Sequence, residues 1–137
     1  MKQEKNEIIL FENQGVKLEV NLKDETVWLT QKQMALLFDV NQSTLSEHIG
    51  NIFEEGELNK KTSIGISDKS SGGRKSKIYN LDVIISVGYR VKSKNGVIFR
   101  QWANKVLKEY MLKGYAINQK RLEYLEKTIK IKELLIN

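Results

Sequence analysis

The chain has 137 residues, a net charge of +6, one His, no Cys and no Pro. That length suits one domain with a core of its own. The lack of Cys excludes disulfides and thiolate metal sites, and a single imidazole, His48, cannot make a histidine-based metal cluster.

No apolar run reaches the roughly 18 residues of a membrane span, and charges occur throughout the first thirty residues, so neither a span nor a secretory signal is predicted. The protein is therefore expected in the cytoplasm. Its charge is unevenly spread: residues 1–60 hold 6 Lys against 11 Asp plus Glu, whereas residues 61–137 hold 17 Lys plus Arg against 6. A basic half points to an anionic partner.

In chain order, "EIILFE" and "VKLEVNL" flank "NQG" and read as two strands; Leu18, Val20 and Leu22 alternate with Glu19 and Asn21 at the period of a half-buried strand. "TVWL" reads as a third strand of the same small antiparallel sheet. At "LTQKQMALLF" the period becomes helical. Thr30 and Gln33 stand at capping-box spacing, and Met34, Leu37 and Phe38 share a face. "DVNQ" breaks this helix. Asn41 is a candidate cap for a second helix over residues 41–53, with Leu45, Ile49 and Ile52 on its buried side.

"TSIGIS" and "KIYNL" read as strands of a hairpin whose tip, "DKSSGGRKS", has the Ser and Gly of a flexible turn. Asn80 caps a third helix, "LDVIISVGYRV", with Asp82 in its first turn. A fourth runs to Lys113 with Phe99, Trp102, Ala103, Val106, Leu107, Tyr110 and Met111 at spacings of three and four, and Gly114 is expected to stop it. "NQKRLEYLEKTIKIKELLIN" then reads as a fifth helix with Leu122, Leu125 and Ile129 in a stripe.

The two helices around Asp39 have the pattern of a helix-turn-helix: Ala35 where the helices cross closely, Val40 after the turn, and Leu45 facing inward. On the second helix Gln42, Ser43, Thr44, Ser46 and Glu47 face outward. Gln pairs with adenine, Ser and Thr bond to several base edges, and Glu accepts from cytosine, so these residues can read bases without Lys or Arg. Grip on phosphates must come from elsewhere. The hairpin supplies Lys69, Arg74, Lys75 and Lys77 within a basic wing over residues 68–77, and Thr30 and Lys32 are further candidates for backbone contact. The predicted fold class is α+β: winged helix-turn-helix-like, with a small antiparallel β-sheet, a β-hairpin wing and C-terminal helices. Residues 1–115 form the domain, and residues 116–137 form a C-terminal helix for oligomerisation or linkage to a further region.

The series "VWLTQKQMALLF", "STLSEHI" and "GRKSKIYNLDVIISVGYRVKSKNGVIFRQWANKVLKEYMLKGY" closely resembles the RhuM family of virulence-associated bacterial proteins over roughly residues 25–120. "FRQWANKVL" is also similar to the closing motif of Bro-N type DNA-binding domains. The resemblance implies a prokaryotic DNA-binding protein and, since family members are usually longer, an amino-terminal module; it carries over no catalytic residue. Arg90, Lys92, Lys94 and Arg100, around the start of the fourth helix, are additional candidates for phosphate contact.

The sequence therefore predicts a non-enzymatic module that binds double-stranded DNA, without cofactor or metal, as a candidate homodimer through its C-terminal helix. The alternative is a protein-interaction module, such as the regulatory partner of a toxin. No nucleotide-binding P-loop pattern is present, and the acidic residues show neither metal-ligand nor two-carboxylate spacing.

Overall fold

The computed structural model describes residues 8–20, 26–67 and 75–136. The chain divides into two compact units, Met1–Arg100 and Gln101–Asn137. The first mixes helices with antiparallel strands, as the α+β class requires.

Strands β1 (Ile8–Asn13) and β2 (Val16–Val20) form a hairpin in register Asn13↔Val16, with an irregularity between Ile9 and Phe11. Gln14 and Gly15 have φ of 54° and 74°, the paired positive values of a type I′ turn, whose twist matches that of the strands. Val16 and Leu18 are buried while Lys17 is exposed. The Asn13 side-chain amide donates to the Leu37 carbonyl at 3.1 Å, fastening the hairpin to the helical layer.

The expected third strand does not join this hairpin. It is the short β3 (Leu29–Thr30), which pairs with β5 (Ser76–Tyr79) through Leu29↔Tyr79 and Thr30↔Ile78. β5 pairs on its other side with β4 (Ile64–Ser67), giving a separate antiparallel sheet of order β3-β5-β4. "TSIGIS" begins as a helix: Lys60–Ser63 form α3, capped by the Asn59 side chain accepting from Lys61 N–H at 2.8 Å. Thr62 and Ser63 are thus helical, and their carbonyls accept from the Asn80 amide side chain and backbone at 3.1 and 3.0 Å.

Between β3 and β4 lie α1 (Gln31–Phe38) and α2 (Gln42–Glu54). The capping box forms as the spacing predicts, with Gln33 N–H donating to Thr30 Oγ1 at 3.1 Å and Thr30 N–H to Gln33 Oε1 at 2.8 Å. α1 ends in a Schellman turn: Val40 N–H donates to Ala35 O at 3.1 Å, and Asp39 is left-handed at φ 52°. α2 ends the same way at Gly56, φ 75°, with Glu57 N–H on Ile52 O at 3.1 Å. Asn41 stands at the N-cap of α2, but its side chain makes no capping bond.

The third predicted helix, α4 (Leu81–Gly88), is shorter than "LDVIISVGYRV" because the chain turns at Tyr89 and Arg90. The predicted stop at Gly114 is overturned. α5 runs without a break over Lys94–Ile136, absorbing both the fourth and fifth predicted helices. A single Gly costs a helix only about 1 kcal/mol relative to Ala, which the propensities on either side exceed.

Phe38 and Phe99 are fully buried in the first unit, with Leu18, Met34, Leu37, Leu45, Ile52, Val83, Ile84 and Val87. Phe99 meets Phe38 and Phe11 edge to face, with centroids 5.2 and 5.6 Å apart. Such contacts add specific geometry to the apolar burial. In the second unit, Tyr110, Met111, Tyr124, Leu134 and Leu135 are among the apolar side chains that stand exposed on α5.

Candidate nucleic-acid interface

α2 buries Leu45, Ile49 and Ile52 and exposes Gln42, Ser43, Thr44, Ser46 and Glu47, as the expected reading face requires. At 100° per residue, Ser43, Glu47, Gly50 and Glu54 lie opposite the buried stripe. Gln42 and Ser46 turn toward the sheet, and Thr44 lies on the other flank beside the half-buried His48.

Two adjoining grooves separate α2 from the sheet. One, of about 320 Å³, is lined by Thr30, Gln31, Lys32, Gln42, Ser76, Lys77 and Tyr79. The other, of about 520 Å³, continues along α2 past Ser46, Gly50 and Glu54, with Lys60, Lys77 and Tyr79 on its far side. Gln31, Lys77 and Tyr79 line both. The amide of Gln31 also donates to the carbonyl of Gln42 at 3.1 Å, so the side chain that floors the groove fixes the start of α2.

Tyr79 is 6% exposed. Burial raises its phenol above the ordinary value, which keeps the hydroxyl a neutral donor and acceptor. Lys77 is exposed, and no carboxylate pairs with it among the described residues. A protonated amine and a neutral amide side chain therefore share one concavity. Together they can meet an anion and a hydrogen-bonding edge at once.

Among the other predicted contact residues, Thr30 and Lys32 line the smaller groove, whereas Lys75, Lys92 and Lys94 line neither. Thr30 accepts the capping bond but keeps its hydroxyl proton for donation, and Lys32 beside it is exposed. Lys75 is exposed immediately before β5; Lys69 and Arg74 lie outside the described residues. Lys92 and Lys94 are exposed.

Arg90 and Arg100 have internal partners. Arg90 pairs with Glu55 at 2.5 Å and Glu57 at 3.5 Å, and its hydrogen bond and charge hold the Glu55 carboxyl below the usual carboxylate range. Arg100 Nη1 donates to the carbonyls of Gly88 at 2.9 Å and Val91 at 2.6 Å, satisfying groups freed where α4 ends. Gln31, Gly50, Lys60 and Tyr79 were not legible as groove residues from the sequence. A period-two reading of β5 from Lys77 could have found Tyr79, whereas Lys60 needs the chain path through α3.

Among the described residues, no cluster of His, Asp or Glu is arranged to hold a metal ion, and no helix is long and apolar enough to cross a membrane. The family model described as Virulence protein RhuM family matches residues 57–135, more than half of the chain. It takes in β4, β5, α4 and nearly all of α5, and begins after α2. Comparison with curated proteins and with solved structures gives no match.

Proposed function

The chain belongs to the Virulence protein RhuM family, and we propose that it is a non-enzymatic module that binds double-stranded DNA in the cytoplasm. α1, the turn at residues 39–41 and α2 act as a helix-turn-helix, with α2 in the major groove. The hairpin of β4 and β5 acts as the wing on the phosphate backbone. The observation that carries this reading is the groove shared by Gln42 and Lys77, which lets one duplex meet both a base-reading side chain and a cation. The second groove supports it, since Ile64 of β4 and Lys77 and Tyr79 of β5 line it together with Ser46 and Gly50 of α2.

In this reading Gln42, Ser43, Ser46 and Glu47 select among bases, with Thr44 at the edge of the face. Thr30, Lys32, Lys75 and Lys77 hold phosphates, joined by Lys69 and Arg74, and by Lys92 and Lys94 as outlying cations. No metal or cofactor is required.

A gel shift of random duplex across a salt series tests it. Binding should weaken steeply with salt; no retardation at low salt refutes the proposal. The exposed apolar side chains of residues 101–135 favour a second reading, in which the helix pairs with another copy or with a different protein. A concentration-dependent mass in sedimentation would identify the homodimer, and a defined heterocomplex without DNA affinity would favour the protein-interaction module.

A further inference from the structure

The larger groove contains three features that base reading by the start of α2 does not use: a bare helix backbone at Gly50, an unanticipated lysine at Lys60, and a carboxylate at Glu54. Gly50 lies in the middle of α2, where Gly costs about 1 kcal/mol relative to Ala. Nothing in the fold needs it there, because a methyl group at Gly50 would meet no atom within 4 Å. The contrast with Gly88 is direct: a methyl group there would stand 2.4 Å from the Phe99 ring. Gly50 therefore leaves free space on the groove side of α2 without serving the core.

Across that space stand two ammonium groups. Lys60 is held with its Nζ 6.0 Å from the centroid of the Phe53 ring, and Lys77 reaches in from β5. Neither pairs with a carboxylate among the described residues. The Ser46 hydroxyl lines the same wall. At about 520 Å³ the groove is much larger than one phosphate group, which suits a chain passing through it rather than an enclosed small molecule. Glu54 is the opposing charge.

We propose that this groove seats a phosphodiester of the bound duplex, gripped between Lys60 and Lys77 and admitted by the bare backbone at Gly50. The inference rests on the DNA-binding reading and adds where one strand of the duplex runs: between α2 and β5, along the helix toward α3. Lys60 then joins the hairpin as a source of grip, and Glu54 weakens the binding it adjoins.

The test is fluorescence anisotropy on the full chain with a random duplex at several salt concentrations. Lys60→Ala should weaken binding about three- to tenfold on every sequence and make the salt slope shallower by about 0.9, the counterion equivalent of one phosphate. Gly50→Leu fills the space while improving helix propensity; it should keep or raise Tm yet lower affinity about tenfold. Glu54→Gln should tighten binding, an effect that damage to the fold cannot mimic. Gly114→Ala, outside the groove, should leave affinity unchanged. If the wild-type protein binds duplex and the Lys60, Gly50 and Glu54 variants match it in affinity and slope, the seat is wrong and the DNA reading stands. If the wild-type protein retards no duplex, the DNA reading itself fails.

Discussion

The ring of Phe99 occupies the place where a side chain on Gly88 would stand, with a methyl group there falling 2.4 Å from two of its ring carbons. Two motifs spaced along the sequence, "SVGYR" and "FRQWA", thus interlock as a single contact between α4 and the start of α5. Overpacking of this kind costs about 1–3 kcal/mol, so Gly88→Ala should lower Tm. Phe99→Ala should cost about 3–5 kcal/mol. In the Phe99→Ala background most of the first penalty should disappear, since the remaining close atom is Phe38 Cε1 at 3.3 Å. Thermal melts of the two single variants and the double variant check this; equal effects of Gly88→Ala in both backgrounds would refute the interlock.

Asp39 and Gly56 end their helices with the same hydrogen-bond pattern and nearly the same φ, 52° and 75°, but only one is Gly. An L residue in the left-handed region costs about 1–2 kcal/mol, less for Asp, and Gly gives part of that back as chain entropy in the unfolded state. Asp39→Gly should therefore stabilise the protein by up to about 1 kcal/mol. Gly56→Ala should destabilise it by a similar amount. Urea melts of the two variants should move in opposite directions.

What the sequence made legible follows from how local each signal is. The Thr30–Gln33 box, the N-cap at Asn80 and the buried stripe of α2 depend on residues three or four apart, and all appear where the spacing puts them. The partner of β3 depends on residues some fifty positions away, and two alternating residues cannot specify it. Arg90 and Arg100 looked like free cations because the carboxylates and helix-end carbonyls they satisfy come from other turns of the chain. Gly114 misled for a related reason: a glycine beyond a periodic stretch signals a cap only if the chain turns there.

The contact between Arg90 and Glu55 gives acid stability a definite sign. Glu55 is held below the usual carboxylate range in the fold, first by the hydrogen bond from Arg90 and then by its charge. A depressed carboxyl contributes stability that is present above its unfolded pKa, about 4.3, and is lost as pH falls through the folded value. Tm should therefore decline on acidification below about pH 4, and Glu55→Gln should make that decline shallower while leaving melts at alkaline pH nearly parallel. Glu55 is exposed and Arg90 half-buried, so the effect is small and should shrink in high salt.

Lys77 and Gln42 line one groove yet should fail differently. A phosphate-gripping ammonium contributes alike on all sequences, so Lys77→Ala should reduce affinity uniformly and lower the salt slope by about one unit. A base-reading amide contributes through a particular base pair, worth about 1–3 kcal/mol, so Gln42→Ala should flatten preference at one position of a selected site with the slope intact. Binding-site selection with each variant separates the two; a slope change with Gln42→Ala would mean that this residue is not reading bases.

Gly114 provides a test of the long helix itself. It lies inside α5, has no positive φ, and a methyl group there would meet no atom within 4 Å. Gly114→Ala should therefore raise helicity and add up to about 1 kcal/mol of stability to the helix around it. A glycine acting as a left-handed cap, as the sequence suggested, would respond in the opposite direction, because Ala is strained at positive φ. Circular dichroism at 222 nm on the full chain distinguishes the two. A loss of signal in the variant would place a helix end at Lys113 and divide α5 in two.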